Sequence, residues 1–354
     1  MKILCAGGGT LGSVTPLLAV IDELRHSPEP VEVYWFGTSA GPERKLVESY
    51  KINFMVLSAG KIRRYWSIQN FSDLGRIILG FFEALAWLVN NKVDIVLTAG
   101  SFVAVPVGWA AWLWGIPVLI HQQDVRPGLA NKLLAPIAAR ITVSLKESLN
   151  DFSATKTILT GNPVRNIFEK INKNQARTNL GLEQDMFTLA VLGGGTGAEF
   201  FNHLLISALP KFNDQIQIIH LTGMGKKNSD NFSPHYRVLD FTTDTSNILA
   251  AADLVVTRAG MGVLTELATL SKAAIVVPIP HTHQEDNASL LEKNKAAKIL
   301  NQLSLTPDNF VATVSQLLAD DKHRAEFGKN LHNLFPPQPA VSFVKEIYKL
   351  IKKS

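Results

Sequence analysis

With 354 residues, 46% of them hydrophobic and 18% charged, and a single cysteine, the chain has the apolar content for two packed domains, which excludes both a disordered and a disulfide-stapled protein. Its net charge of +5 favours an anionic partner, either phosphate or an acidic membrane surface. No nucleic-acid motif accompanies that charge, and the basic residues are not interleaved with an aromatic platform, so nucleic acid is excluded as a partner.

The chain opens MKILCAGGG, running straight into a strand over residues 2–6 and a Gly-rich turn without the apolar core of a signal peptide. A cytoplasmic protein is expected. Cys5 lies inside that strand and reads as a buried, unreactive thiol. The turn GGGTLGSVTP feeds a helix over residues 16–25, with Leu17, Val20, Ile21 and Leu24 on one face, Thr15 as its cap and Pro16 at its first position. Gly7, Gly9 and Gly12 satisfy GxGxxG, but a dinucleotide site also needs an acid at the end of the next strand to hold ribose hydroxyls. That strand, residues 31–36, ends in Gly37-Thr38 and carries Glu32 near its start, which argues against a nicotinamide enzyme.

Lys61, Arg63, Arg64 and Arg76 form a basic stretch leading into a helix over residues 72–89. There Leu74, Ile77, Ile78, Phe81, Phe82, Leu85 and Leu88 make one stripe, while Leu79, Gly80 and Trp87 leave the other side apolar too. A helix apolar all round is either fully buried or faces lipid. The expected docking face is Ile77, Phe81, Leu85 and Trp112, rimmed by those four basic residues. The uncharged run over residues 101–120 is long enough to raise a membrane span. Pro106 suits a helix start, however, and Gly115-Ile-Pro117 ends that helix and opens a strand, so no span is expected. A helix over residues 129–139, strands over 141–144 and 158–160, and the crossing Gly161-Asn-Pro-Val-Arg165 complete the first half.

The second half repeats the design. A strand over residues 188–192 leads to the loop GGGTGAEFFN, and strands over 216–221 and 236–239 precede a loop over 241–247. Residues 253–291, DLVVTRAGMGVLTELATLSKAAIVVPIPHTHQEDNASLL, then read as a buried strand, a Gly turn over 258–262, a helix with Glu266 in its first turn, a strand over 274–277 and a loop with His283, Gln284 and Asn287. Residues 94–124, DIVLTAGSFVAVPVGWAAWLWGIPVLIHQQD, carry the same order, an internal repeat. The expected fold is α/β, two Rossmann-like doubly wound domains: residues 1–162 with a C-terminal helix over 340–354, and residues 163–339. Three Gly turns lie at strand ends, over 7–12, 193–197 and 259–262. Each alone serves equally as a tight turn. Together with Arg165 and Glu266 they point to a nucleotide diphosphate site, with N–H groups and the arginine on the diphosphate and the carboxylate on ribose hydroxyls. Glu266 has a second reading as a helix-dipole partner worth about 0.3–1 kcal/mol.

These motifs resemble the MurG family of GT-B glycosyltransferases, which move N-acetylglucosamine (GlcNAc) from UDP-GlcNAc onto the N-acetylmuramic acid (MurNAc) of lipid I to make lipid II for peptidoglycan. GGGTLGSVTP, TAGSFVAVPVGWAAWLWGIPVLIHQQDVRPGLANKLLA, GNPVR, GGGTGAEFFN, TRAGMGVLTEL and PIPHTHQEDNA stand in family order over most of the chain. The resemblance implies two domains facing a central cleft. Thr10, Leu11, Gly12 and Asp124 would line it from the acceptor side and reach the donor. Arg165 and the Gly195-Thr196 turn would meet the donor phosphates, the Thr242 backbone the uracil, Met261, Gly262, Val263, Leu264, Thr265 and Glu266 the nucleotide, and Gln284 the sugar hydroxyls. Ser13 stands where the family has a histidine, Leu11 where it has a glycine, His121-Gln-Gln-Asp124 where it has HEQN, and Gly195 where it has a serine.

An acceptor hydroxyl that attacks with inversion needs a general base. Ser13 and Asp124 are the candidates, with His121 read as orienting the loop. No Asp-x-Asp motif is present, so no protein-held metal and no cofactor is expected, which leaves stimulation by magnesium from solution open. The expected partners are UDP-GlcNAc, lipid I and an anionic membrane, and the expected place is peripheral, on the cytoplasmic face. Alternatives are a UDP-GlcNAc 2-epimerase, a transferase to another polyprenyl-linked sugar, and an inactive lipid- or nucleotide-binding homologue.

Overall fold

The computed structural model describes residues 1–60, 69–193, 199–212, 216–223, 225–226, 235–240, 242 and 244–352, the side chains of residues 69–72 excepted. Two units divide the chain: Met1–Arg165 with Pro336–Ser354, and Asn166–Phe335.

In the first unit β1 (Lys2–Ala6), β2 (Glu32–Gly37), β3 (Asn53–Val56), β4 (Ile95–Thr98), β5 (Val118–Gln122), β6 (Arg140–Val143) and β7 (Thr157–Leu159) form one parallel sheet in the order β3-β2-β1-β4-β5-β6-β7. Its strands β4 and β5 are buried at every position, because helices cover both faces. Those helices are α1 (Thr15–Arg25), α2 (Glu43–Ser49), α3 (Gln69–Asn90), α4 (Ala104–Leu113) and α5 (Leu129–Leu134). Strand alternation divides the core. Ile3 and Cys5 pack with Leu17 and Ile21 of α1 and Leu46 of α2. Leu4 and Ala6 face the opposite way, toward Ala84 and Leu88 of α3 and Val107 of α4. Burial pushes the Cys5 thiol well above its ordinary range, so it is inert as expected.

In the second unit α6 (Ile167–Lys170) and α7 (Lys173–Leu180) precede β8 (Phe187–Leu192), α8 (Glu199–Ala208), β9 (Ile216–Leu221), β10 (Tyr236–Leu239) and α9 (Ser246–Ala251). There follow β11 (Leu254–Thr257), α10 (Met261–Thr269), β12 (Ala273–Val276), α11 (Gln284–Lys293), β13 (Lys298–Ile299), α12 (Pro307–Leu318) and α13 (Asp321–Asn333). The strands pair in parallel as β10-β9-β8-β11-β12-β13, the same winding as in the first unit. The last helix, α14 (Pro339–Ile351), belongs to the first unit. Its Phe343, Ile347 and Leu350 enter the core beside α1, and its Glu346 meets Arg140 at 3.3 Å.

Both sheets change direction once, between β1 and β4 and between β8 and β11. In such sheets ligands bind at that switch point, outside the carboxyl ends of the strands. Local departures from the sequence reading have physical causes. Thr15 does not cap α1: the N-cap position is Val14, and no side chain caps there. The α5 helix stops at Leu134 instead of continuing to residue 139, since Pro136 has no N–H to extend the ladder. No helix among the described residues is long and apolar enough to cross a membrane, and the run over residues 101–120 forms α4, a turn and part of β5.

Candidate functional site

In the second unit the loop after β11, the start of α10 and the start of α11 converge. Gly260 is extended, so α10 begins at Met261, and the first N–H groups of the helix have no carbonyl partner within it. A helix of this length with an open N-terminus is a ready anion site. Met261, Leu264 and Thr265 are buried, Gly262, Val263 and Glu266 half-buried. Glu266 therefore sits in the second turn of α10, a correction to the expected first-turn position. The helix-dipole effect falls off within the first turn, so that reading loses most of its force. Instead a Glu266 carboxylate oxygen accepts from the Thr245 hydroxyl at 3.3 Å, which places the loop before α9 beside it. In the same loop Thr242, half-buried, donates its hydroxyl to the Asp244 carbonyl at 2.9 Å.

Gln284 opens α11, and its side-chain carbonyl accepts the Ile279 N–H at 3.2 Å. Asn287, buried, donates to the Ala259 carbonyl at 2.9 Å and so ties α11 to the loop after β11. Arg258, read from the sequence as a turn residue, lies with its guanidinium 4.5 Å from the Phe201 ring centroid and donates to the Val277 carbonyl at 3.0 Å. Burial holds its pKa below the ordinary arginine range. Gly195 and Thr196 fall outside the described residues.

At the switch point of the first unit, Thr10 and Gly12 are exposed, Leu11 is half-buried against the core, and Ser13 is buried. Among the described residues the Ser13 hydroxyl has no hydrogen-bond partner, so none of them activates it as a base. Gly9 has φ +81°, and the Phe102 ring stands 2.8 Å from where a Cβ would be, so only glycine fits there. Asp124 follows β5 and is half-buried. Its loop is clamped through the backbone: Gln122 donates to the carbonyls of Asp124 and Arg126 at 2.8 and 3.0 Å, and Ser148 to that of Val125 at 3.0 Å. His121 is buried, with Nδ1 against the Thr142 hydroxyl and Nε2 against the Asn162 carbonyl, both at 2.9 Å. Burial pulls its pKa down to about 4, and the ring is committed to holding β5 to β6 and to the segment after β7.

Arg165, the residue expected to meet the donor phosphates, is buried at the end of the first unit beside Asp22 and Tyr50. Glu43, an acid within GTSAGPE after β2, carries no local sequence pattern that announces a role at this switch point.

The apolar surface of the first unit is displaced from the expected stripe. Ile77, Phe81 and Leu85 are half-buried, and Phe81 and Leu85 pack on the core. The exposed large apolar side chains of α3 include Leu74, Ile78, Leu79 and Phe82, the last 59% exposed, and Trp112, Leu113 and Trp114 at the end of α4 are exposed as well. Trp112 is thus exposed as expected. Arg76 is exposed too, while Lys61, Arg63 and Arg64 lie outside the described residues.

His121 and His220, the latter also near pKa 4 through burial, predict an acid limit on stability. Both are neutral in the fold and gain a proton on unfolding below the ordinary histidine value. Their contribution is therefore whole above pH 6.5 and lost as pH falls toward 4, by about 1.4 kcal/mol per histidine per pH unit. Denaturant melts of wild type and His220→Gln at pH 7, 5.5 and 4.5 should show a shallower acid slope in the variant; parallel slopes would contradict it.

The chain matches the glycosyltransferase family 28 N-terminal domain over residues 3–143 and the glycosyltransferase family 28 C-terminal domain over residues 188–350. It is 32% identical to a UDP-N-acetylglucosamine--N-acetylmuramyl-(pentapeptide) pyrophosphoryl-undecaprenol N-acetylglucosamine transferase of Clostridium kluyveri, over 99% of each chain. A protein of the same name from Lachnoclostridium phytofermentans is 32% identical over 98% of this chain and 99% of its own. Among solved structures, MurG of Acinetobacter baumannii superposes with a TM-score of 0.73 at 27% identity, covering 98% of this chain and 99% of that one. A UDP-GlcNAc 2-epimerase from Neisseria meningitidis, bound to UDP-GlcNAc, superposes at 0.72 but with 13% identity, over 99% of this chain and 100% of that one, a likeness of fold.

Proposed function

We infer the reaction from one premise: this chain belongs to glycosyltransferase family 28 and, within it, to the MurG family. It is a UDP-GlcNAc-dependent N-acetylglucosaminyltransferase of the GT-B fold that passes GlcNAc to lipid I, forming lipid II for peptidoglycan. The observation that carries this is the identity maintained along the whole chain, through both units.

The proposed division of labour follows from the loops. The second unit takes the donor: the open N-terminus of α10 receives the diphosphate, Glu266 the ribose hydroxyls, the Thr242 backbone the uracil, and Gln284 the sugar. The loop over residues 7–12 and Asp124 serve the acceptor. Asp124 takes the proton of the MurNAc 4-hydroxyl as that oxygen attacks the anomeric carbon, UDP departs from the opposite side, and configuration inverts. His121 is excluded from this role by the hydrogen bonds at both its ring nitrogens and its low pKa, and Ser13 by its unactivated hydroxyl. The donor's own diphosphate is the leaving group, and the proposed reaction uses no resident cofactor or protein-held metal. The test is release of UDP that requires both UDP-GlcNAc and a lipid I analogue; release with either alone, or none with both, would overturn the reading.

The acceptor's tail is lipid, so the enzyme is proposed to dock peripherally on the cytoplasmic face of the membrane. Leu74, Ile78, Leu79 and Phe82 of α3 with Trp112, Leu113 and Trp114 form the apolar face. Arg76 and the basic residues Lys61, Arg63 and Arg64 supply the attraction to anionic headgroups. Burying one such side chain contributes up to about 1.5–3 kcal/mol, and each basic residue about 1 kcal/mol, enough together for reversible binding. Leu79→Ser with Phe82→Ser should abolish sedimentation with phosphatidylglycerol vesicles at an unchanged melting temperature. Undiminished sedimentation would remove this face from the proposal.

A further inference from the structure

At the first residue of α2, the Glu43 side chain is fully buried, and no cation is paired with it among the described residues. Burying a carboxylate without a cation is costly unless hydrogen bonds replace its water. Here they do. Oε1 accepts the Thr38 N–H at 2.8 Å and also the Thr38 hydroxyl, while Oε2 accepts the Gly9 N–H at 3.2 Å. The backbone has closed around the group. A Cβ at Gly41 would fall 1.9 Å from Oε2, and one at Gly8 would fall 2.3 Å from Oε1. From the other side of the switch point, Ser101, at a strained φ of +121°, donates its hydroxyl to the Gly8 carbonyl at 3.0 Å.

The loop over residues 7–12 is thus pinned by a carboxylate behind it and a hydroxyl beside it. A turn between a strand and a helix needs neither. The arrangement also limits what that loop can do for a ligand, because Gly9 has already given its N–H to the protein. The negative charge behind the loop, taken alone, weakens its hold on an anion. What Glu43 supplies is therefore shape: it holds Gly9 in its left-handed conformation with exposed Thr10 and Gly12 beyond it.

We propose that Glu43 is a positioning residue of the transfer reaction, setting the acceptor loop over residues 7–12 through its bond to Gly9 and its anchorage on Thr38. The inference rests on the transferase reading above. Glu43→Gln keeps one carbonyl oxygen for Thr38 but turns an NH2 toward the Gly9 N–H, removing that bond at constant volume. The expected result is a KM for the lipid-linked acceptor raised at least about fivefold, with kcat and the KM for UDP-GlcNAc changed less than about twofold. Loss of charge alone would lower the KM of an anionic acceptor, so a rise reports the loop's geometry. A merely structural role would cut the active fraction, lowering apparent kcat at constant KM values, and that pattern overturns the proposal.

Gly41→Ala displaces the same oxygen without changing charge and should give the same acceptor-specific rise. If neither variant folds, amide exchange on the wild-type enzyme decides. A bound lipid I analogue should protect residues 7–12 and 38–43 together; protection of the first segment without the second overturns the coupling. No transfer by the wild-type enzyme sinks the functional reading and this inference with it. An active wild type with unchanged constants in Glu43→Gln sinks the inference alone.

Discussion

Asp124→Asn is expected to lower kcat by about 100- to 10,000-fold at saturating donor and acceptor, the range that general-base catalysis contributes. The substitution keeps the volume of the side chain and leaves in place the bonds by which Gln122 and Ser148 hold the loop through backbone carbonyls. Both KM values should therefore change little. The competing view is that Asp124 only positions a hydroxyl or the turn before Pro127, and an asparagine does that as well. A kcat within a few-fold of wild type would take Asp124 out of proton transfer.

Glu266→Ala should raise the Kd for UDP-GlcNAc at least about tenfold by calorimetry, since each charge-assisted hydrogen bond is worth about 1.5–3 kcal/mol and about 1.4 kcal/mol is a factor of ten. Within the fold Glu266 is half-buried and accepts from the Thr245 hydroxyl at 3.3 Å, a long bond. Affinity should fall while the melting temperature moves by only a few degrees. Thr245→Val provides the control, removing that bond but leaving the carboxylate, and should weaken the donor far less. Unchanged affinity in Glu266→Ala would mean that the carboxylate serves the fold and not the ribose.

The parts of the molecule legible from the sequence are those set by local chemistry. Fully buried strands such as Leu254–Thr257 announce themselves as apolar runs bounded by Gly turns, and the repeat of strand, turn, helix and strand marks two parallel sheets. Helix register was less legible. Placing the turn over residues 258–262 put Glu266 one turn too early, because extended Gly260 alone opens the helix and Gly262 lies within it. For α3, apolar on both sides, periodicity could not decide which stripe the sheet would cover, and packing buries Ala84 and Leu88 while leaving Leu79 and Phe82 outside. The least legible features join residues far apart. Glu43 meets Gly9 across 34 positions and His121 meets Asn162 across 41, and no local pattern announces either pair.

The most direct measurement follows labelled GlcNAc from UDP-GlcNAc in the presence of a lipid I analogue. The label is expected in a lipid-extractable disaccharide, joined through the MurNAc 4-hydroxyl with inverted configuration, with UDP formed in equal amount. Label that stays on the nucleotide as the 2-epimer, with none on the lipid, would contradict the transferase assignment.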